Sequence, residues 1–365
     1  MKEAKYNLFT KSNPALRNFC ILLGYGIITL VMTYPWILHL TTHTPDWGGE
    51  GSLGLWNLWY FRYGLSHGTP FETDLLLPPY HLNLIFHTYT ISRDILALPL
   101  LSIFDLVVTS NLLTLFSFAF SGLGAYLLVN DFTNDAKASF VAGLIYAFAP
   151  YRFAHLSGHY NLISIEWIPF YSLYALRYFR SGRRVALLLA GFFALMTSLT
   201  DYYYAFFLIV WSGGLALYRL IFEVQKSRVV IRIGFLAGAT TLTLLPLIGL
   251  MYWGIEHGGW VSRPAGTEML ETYSADLAGF VIPSVQHPLF GIWAQQIEQG
   301  WNSGFAEHTV YLGIVPLLLI LAATFTTRKW PADVRWWIFT FWIFVLLALG
   351  PVLHWRGQAL FPLPY

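Results

Sequence analysis

Two carboxylates stand close together in a glycine-rich segment, Thr44-Pro-Asp-Trp-Gly-Gly-Glu-Gly-Ser52. Glycine lets a backbone approach a ligand closely, and a helix over the aromatic stretch 53–65 would turn its N-terminus toward any anion bound there. Glu50 is therefore a candidate general base for a hydroxyl nucleophile. Asp46 is expected to assist it through its charge or by sharing a divalent cation. The alternative is a solvated polar turn at an acidic helix start.

A second polar cluster lies further along the chain, in Arg152-Phe-Ala-His-Leu-Ser-Gly-His-Tyr-Asn161. His155 and His159 are four residues apart and Arg152 is three before His155, so all three share one face if the turn is helical. One fixed cation and two imidazoles suit a phosphate or pyrophosphate group. Two alternatives stay open, a metal ion held by the histidine pair and interfacial side chains whose polar tips reach water.

Four further candidate binding residues stand alone: His87, Arg93, Asp201 and Glu307. His87 and Arg93 come after the first polar turn. Asp201 precedes three consecutive tyrosines, a position that also suits a helix N-cap. Glu307 stands at the entry to an apolar stretch, where an acid is costly unless it has a use. We expect all four to contact a substrate.

The composition identifies the class of protein that must position these residues. Of 365 residues, 56% are hydrophobic and 11% are charged, against roughly a quarter charged in soluble proteins. One cysteine excludes a disulfide framework and a cysteine-based metal site, and a net charge of +2 gives no reason to expect a nucleic-acid partner. The sequence also lacks the nucleotide-binding, serine-hydrolase and zinc-protease motifs of soluble enzymes.

The hydrophobic pattern predicts an all-α, polytopic membrane protein in which residues 1–365 form a single transmembrane domain. About nine spans are expected, at residues 19–38, 110–130, 138–153, 161–179, 184–200, 203–222, 232–254, 308–326 and 336–353. Two long loops, 39–109 and 255–307, are expected to carry interfacial helices. The chain stops at Tyr365 without a basic anchor, which suggests a C-terminally truncated piece of a longer protein.

The charges predict an orientation for these spans. With the N-terminus in the cytoplasm, 16 of the 21 basic residues lie on the cytoplasmic side, as the positive-inside rule requires. The opposite side receives 14 of the 19 acids and all eleven histidines. The candidate chemistry is therefore expected outside the cytoplasm, at headgroup depth.

The order of these segments resembles a known family. The residues that carry the resemblance are Leu55-Trp-Asn-Leu-Trp59, Asn83-Leu-Ile-Phe-His-Thr88, Ser121-Gly-Leu-Gly-Ala-Tyr126, Ala154-His-Leu-Ser-Gly-His-Tyr-Asn-Leu162, Asp201-Tyr-Tyr-Tyr204 and Gly350-Pro-Val-Leu-His354. From about residue 20 to its end, the chain resembles a bacterial and archaeal branch of polytopic proteins grouped with the GT-C membrane glycosyltransferases.

The resemblance implies an enzyme of the plasma membrane whose catalytic acid lies in the first large outer loop. That acid would be Glu50, where relatives more often have aspartate, with Asp46 in reserve. Such enzymes move a sugar from a polyprenyl-phosphate donor to a glycan, lipid or protein acceptor outside the cytoplasm, among membrane lipids and without nucleic acid. Two other functions stay open, a transporter or flippase for a lipid-linked sugar and a non-catalytic membrane scaffold of the same fold.

Overall fold

The computed structural model describes residues 13–46, 50–257, 267–301, 305–327 and 329–364, and most of them are helical. The α-helices are α1 Pro14–Met32, α2 Glu50–His67, α3 Ile91–Leu100, α4 Leu106–Thr133, α5 Ala136–Ala147, α6 Pro150–His155, α7 Tyr160–Ile163, α8 Trp167–Ser181, α9 Arg184–Thr200, α10 Tyr202–Phe222, α11 Lys226–Glu256, α12 Thr267–Thr272, α13 Gly291–Glu298, α14 Phe305–His308, α15 Ile314–Thr326 and α16 Ala332–Ala348. Short 3₁₀ helices cover Trp36–His39 and Leu277–Phe280. Two antiparallel hairpins complete the description, β1 Glu72–Thr73 with β2 Leu82–Asn83, and β3 Val352–Trp355 with β4 Gln358–Pro362.

Four of the described helices are long and apolar enough to cross a membrane: α1, α4, α10 and α11. They match the spans predicted at 19–38, 110–130, 203–222 and 232–254, so a helical, membrane-associated protein is confirmed. The prediction of nine spans is not supported, because the other apolar segments form shorter helices. These include α9, α15 and most of α16.

Two of the missing spans are broken by identifiable residues. The segment predicted as one span over 138–153 divides into α5 and α6, because Pro150 begins a new helix. Proline has no N–H to donate, so it fits the first turn of a helix better than the interior. The segment predicted over 161–179 divides into α7 and α8 just before Trp167, with Glu166 as the N-cap of α8.

Aromatic packing holds the helices together in two buried clusters. Tyr171, Trp211 and Trp336 join α8, α10 and α16 in the larger cluster, which also reaches α9 and α11. In the other, Tyr25 of α1 fits against α4 and α5 and donates a hydrogen bond to the Phe140 carbonyl at 3.0 Å. Small residues on the facing helices make this close approach possible, as in many membrane helix interfaces.

The segment between α1 and α4 is anchored to the ends of the longer helices. α2 packs on α3 and α4, and α3 packs on α9. Tyr202, at the start of α10, donates a hydrogen bond to the Ile85 carbonyl at 2.7 Å. The predicted interfacial stretch 53–65 lies within α2. This anchoring places α2, α3 and the turn between α6 and α7 around one cleft.

Candidate functional site

The cleft lies at the end of the bundle where α9 meets α10, and it holds about 510 Å³ of empty space, part of it open to solvent. Three segments form its walls: α2, the start of α3, and the turn that leads into α7. The lining residues are Glu50, Leu53, Gly54, Asn57, Thr88, Thr90, Arg93, Asp94, Gly158, Tyr160 and Asn161.

The Glu50 carboxylate is held at the mouth of the cleft by a histidine. Its Oε2 lies 2.5 Å from Nε2 of His159, and the Glu50 side chain is still 64% exposed. The other ring nitrogen of His159, Nδ1, lies 2.8 Å from Nδ1 of His155. Burial and the neighbouring His159 lower the pKa of His155 to about 3, so His155 is neutral at physiological pH. Glu50, His159 and His155 therefore form a hydrogen-bonded chain that leads inward from the solvent-exposed carboxylate.

Gly158 allows this chain to form. Its backbone has φ +149°, and a Cβ built on it would lie 3.0 Å from the Gly51 nitrogen and 3.2 Å from the Cβ of Glu50. A side chain at this position would be strained by the backbone angle and would also press on the start of α2. The absence of a side chain lets the turn lie directly against α2, which brings His159 to Glu50.

The floor of the cleft contains a buried guanidinium group. Arg93 Nη2 donates to the Ser110 carbonyl at 2.5 Å and to the Ser110 and Thr114 hydroxyls at 3.0 Å each. The guanidinium carbon lies 4.6 Å from the centre of the Tyr160 ring. Nη1 is also buried, and it has no hydrogen-bond partner within the described ranges. A buried cation with an unpaired donor is costly unless an anion meets it.

Asp94 does not neutralise that cation at pH 7. The residue is only 2% exposed, and burial raises the pKa of its carboxyl to about 8 against the opposing effect of Arg93. Its Oδ2 has no hydrogen-bond partner among the residues described. Burial therefore favours the neutral form of this carboxyl, and a neutral Asp94 leaves the Arg93 charge uncompensated by its neighbour.

Asp46 lies beside Glu50 in sequence but makes different contacts. Its Oδ1 accepts a hydrogen bond from the Thr44 hydroxyl at 2.5 Å, and its side chain fills the space beside Gly51, where a Cβ would collide with it. The described residues contain no group of three or more histidines, cysteines and acids that could hold a metal ion. A divalent cation shared by Asp46 and Glu50, the alternative to an effect of the Asp46 charge, therefore finds no such group of ligands among these described residues.

Arg152 is not brought to the cleft. It is fully buried, and its guanidinium donates to the carbonyls of Ala147 and Ile163 at 2.9 and 2.7 Å and to the Ser117 hydroxyl at 2.8 Å. The predicted shared face with both histidines is corrected, because α6 ends at His155 and the turn through Gly158 redirects the chain. The guanidinium that lines the cleft belongs to Arg93 instead, and its Nη1 offers an unpaired donor among the described residues.

The remaining predicted residues surround the cleft without lining it. The His87 ring lies near Trp56 and Tyr89, and burial lowers its pKa. Asp201 is the N-cap of α10, accepting from the Tyr203 backbone N–H at 2.6 Å.

Asp201 nevertheless connects to the cleft through a side chain that lines it. Its Oδ2 accepts a hydrogen bond from Nδ2 of Asn161 at 2.6 Å.

Glu307 is on α14, which packs on α6. The pKa of the Tyr151 hydroxyl is raised to about 12. Burial is the largest cause, and the negative charges of Asp201 and Glu307 also act to raise it.

Asn57, Asp94 and Tyr160 are among the lining residues that were not predicted as site residues from the sequence. Asn57 donates to the Thr88 carbonyl at 2.9 Å, while its buried Oδ1 has no partner within the described part of the chain. A lone amide inside the aromatic stretch 53–65 was a usable signal, as was the acid next to Arg93 in an apolar helix. Tyr160 carried no such signal, since most tyrosines here pack in aromatic clusters.

The fold and the cleft define a helical, membrane-associated protein with a polar cleft at one end of its helices. The chain belongs to the DUF6311 family, described as a domain of unknown function, and the family model matches residues 23–365. Comparison with curated proteins gives no match.

Proposed function

We propose that this protein is a membrane glycosyltransferase that moves a sugar from a polyprenyl-phosphate donor to an acceptor hydroxyl in the Glu50 cleft. One observation carries the proposal. A solvent-exposed carboxylate held by His159 and a buried guanidinium with an unpaired nitrogen line the same cleft. A base and a phosphate-binding cation are the two groups that such a transfer needs.

In the proposed reaction Glu50 accepts the proton of the acceptor hydroxyl. At the same time, the oxygen of that hydroxyl forms a bond to the anomeric carbon of the sugar. The bond between that carbon and the donor phosphate oxygen breaks, and its electron pair leaves with the phosphate. Arg93 stabilises the negative charge of the departing polyprenyl phosphate. His159 and His155 are positioning residues that orient the Glu50 carboxylate. Arg152 takes no part, because it does not line the cleft and its Nη1 and Nη2 donate to groups within the fold.

Apolar surface next to the cleft supports a lipid-linked donor. Trp59 and Leu65 of α2 and Ile95 of α3 are all exposed, and these helices also supply the lining residues Asn57 and Arg93. A polyprenyl chain needs such a surface beside the site that holds its phosphate. The cleft is proposed to open on the extracytoplasmic side, because the basic residues at the start of α9 lie at the other end of that helix.

The test is sugar transfer by the purified protein in detergent micelles, with a panel of radiolabelled polyprenyl-phosphate sugars. Glu50→Gln keeps the shape and hydrogen-bonding capacity of the side chain but removes the base, so the rate should fall on the order of 10²–10⁴-fold. Arg93→Gln should weaken donor binding. The matched control is Glu256→Gln, an exposed acid on α11 outside the cleft lining, which should leave the rate unchanged.

Three results would refute the assignment. Full transfer by Glu50→Gln would show that the carboxylate belongs to a polar turn. Flipping of a fluorescent lipid-linked sugar across proteoliposomes, without transfer from any donor, would instead identify the flippase. If the folded protein shows neither transfer nor flipping, the non-catalytic scaffold is the function that remains.

A further inference from the structure

A second cavity lies at the opposite end of α9 from the Glu50 cleft. It holds about 1010 Å³ of empty space, part of it open to solvent, and its lining includes Asp131, Tyr174, Arg177, Arg180, Arg183 and Ala186. We propose that this cavity binds the phosphate headgroup of an anionic phospholipid. The 17 residues of α9 separate it from the Glu50 cleft by about 25 Å at 1.5 Å per residue, so the two sites are distinct.

Arginines outnumber acids among the described residues that line this cavity. Arg177 Nε donates to Asp131 Oδ1 at 2.8 Å, and Arg180 also forms an ion pair with Asp131. The described lining contains three arginines, Arg177, Arg180 and Arg183, and one acid, Asp131. The carboxylate side chain is 14% exposed while that of Arg177 is 41% exposed, so a buried acid holds guanidinium groups whose outer edges face solvent. The excess positive charge suits a phosphate, which arginine binds through paired donors.

The start of α9 adds to this attraction. The N-cap of α9 is Arg183, and no side chain caps the first turn. The first-turn amides of a helix and the positive end of its dipole favour an anion. Val185 and Ala186 of that first turn line the cavity together with the arginines. A phosphate seated there would meet backbone amides and arginine side chains together.

Apolar surface beside the cavity favours a lipid over a soluble phosphate compound. Val185, Leu188 and Phe192 are exposed on α9, and their spacing of three and four residues places them in one row along the helix. Such a row is where an acyl chain would lie below a headgroup held by the arginines. Asp131, which also lines the cavity, lies close to the C-terminal end of the candidate span α4. The end of a membrane span lies at the depth of the lipid headgroups. Basic pockets between helices at this depth are suited to anionic headgroups.

The test measures binding of dioctanoyl phosphatidylglycerol to the purified protein in a neutral detergent, by native mass spectrometry over a lipid titration. The double variant Arg177→Gln with Arg183→Gln should bind it at least tenfold more weakly. The matched control, Arg228→Gln with Arg335→Gln, removes the same charge from exposed residues at the same end of the helices and should stay within twofold. Dioctanoyl phosphatidylcholine should bind weakly to all three proteins.

Two further arms keep the outcome decisive. Arg183→Glu changes a single exposed residue outside the Asp131 ion pairs, so it should fold normally and still lose the lipid. Inorganic phosphate should not displace the lipid at millimolar concentration. Equal phosphatidylglycerol affinity in the double variant, its control and the wild type would overturn the proposal. Displacement by inorganic phosphate alone would also overturn it and leave a site for a soluble phosphate.

Discussion

Replacing Asp94 with asparagine should make the protein more stable at neutral pH. Asp94 is buried beside Arg93 in the floor of the cleft, and burial raises the pKa of its carboxyl from 3.8 to about 8. Asparagine has nearly the same shape and carries no charge at any pH. The variant therefore keeps the packing and removes the ionisation.

The size and sign of the effect follow from the difference between the two pKa values. Above about pH 4 the unfolded chain has released this proton, whereas the folded protein keeps it until about pH 8. Stability contributed by the neutral carboxyl is thus complete at low pH and is lost as the pH rises through this window. At about 1.4 kcal/mol per pH unit, the loss is on the order of 4 kcal/mol at pH 7 and levels off near 6 kcal/mol above pH 8.

Thermal unfolding in detergent between pH 5 and pH 9, followed by tryptophan fluorescence, measures this difference. Asp94→Asn should have the higher Tm at pH 7, and its advantage over the wild type should shrink toward pH 5. Glu256→Gln, which changes an exposed acid, should follow the wild type throughout. A variant less stable than the wild type at pH 7 would refute the reasoning, since it would mean that Asp94 is ionised and stabilised by Arg93.

Three further predictions concern backbone, burial and orientation. Gly158→Ala should cost about 1–3 kcal/mol of stability through strain at positive φ and should slow sugar transfer by displacing the start of α2. The control Gly238→Ala, where the added Cβ meets open space, should change neither the stability nor the rate. Equal Tm and rate in both variants would contradict this. Arg152→Met should lower stability by about 3–5 kcal/mol, because it removes a buried guanidinium that donates to two carbonyls and a hydroxyl. A folded variant that had lost only donor affinity would return Arg152 to headgroup binding. In intact cells without the native cysteine, Leu75→Cys should react with an impermeant maleimide and Ser181→Cys should not, and the reverse pattern would invert the proposed orientation.

Periodicity and composition predicted those helices that have one uninterrupted apolar stretch. The spans expected at 110–130 and 203–222 correspond to α4 and α10 because no proline interrupts them and the charge in them, Arg219, lies in the last turn of α10. The prediction failed where apolar composition continued across a break. Pro150 begins α6, and Glu166 stands between α7 and α8. A hydropathy window averages over one such residue, and it does not distinguish Pro150, which begins a new helix, from Pro246, which lies inside α11.

The same limit explains which site residues could be anticipated. Glu50 and His159 were each identifiable from residue type, but their contact at 2.5 Å depends on a turn at Gly158 that lies against the start of α2. Spacing along the chain placed Arg152 with the histidines, because the rule for helical neighbours assumes that the helix continues. α6 ends after six residues, so the rule did not apply. The cation came from Arg93, far away in sequence.

The unpaired polar atoms of the cleft bear on the choice between an enzyme and a scaffold. Arg93 contributes a donor and Asn57 an acceptor, both buried and without partners among the described residues, and both residues line the same cleft. Each such atom costs about 1–3 kcal/mol while it is unsatisfied, and the cleft brings these two together. A scaffold gains nothing from that cost, whereas a sugar phosphate offers an anion for the guanidinium and hydroxyl groups for the amide oxygen. Asp94 also destabilises the folded protein at neutral pH, because burial raises the pKa of its carboxyl. Its neutral form leaves the charge of Arg93 available to the phosphate.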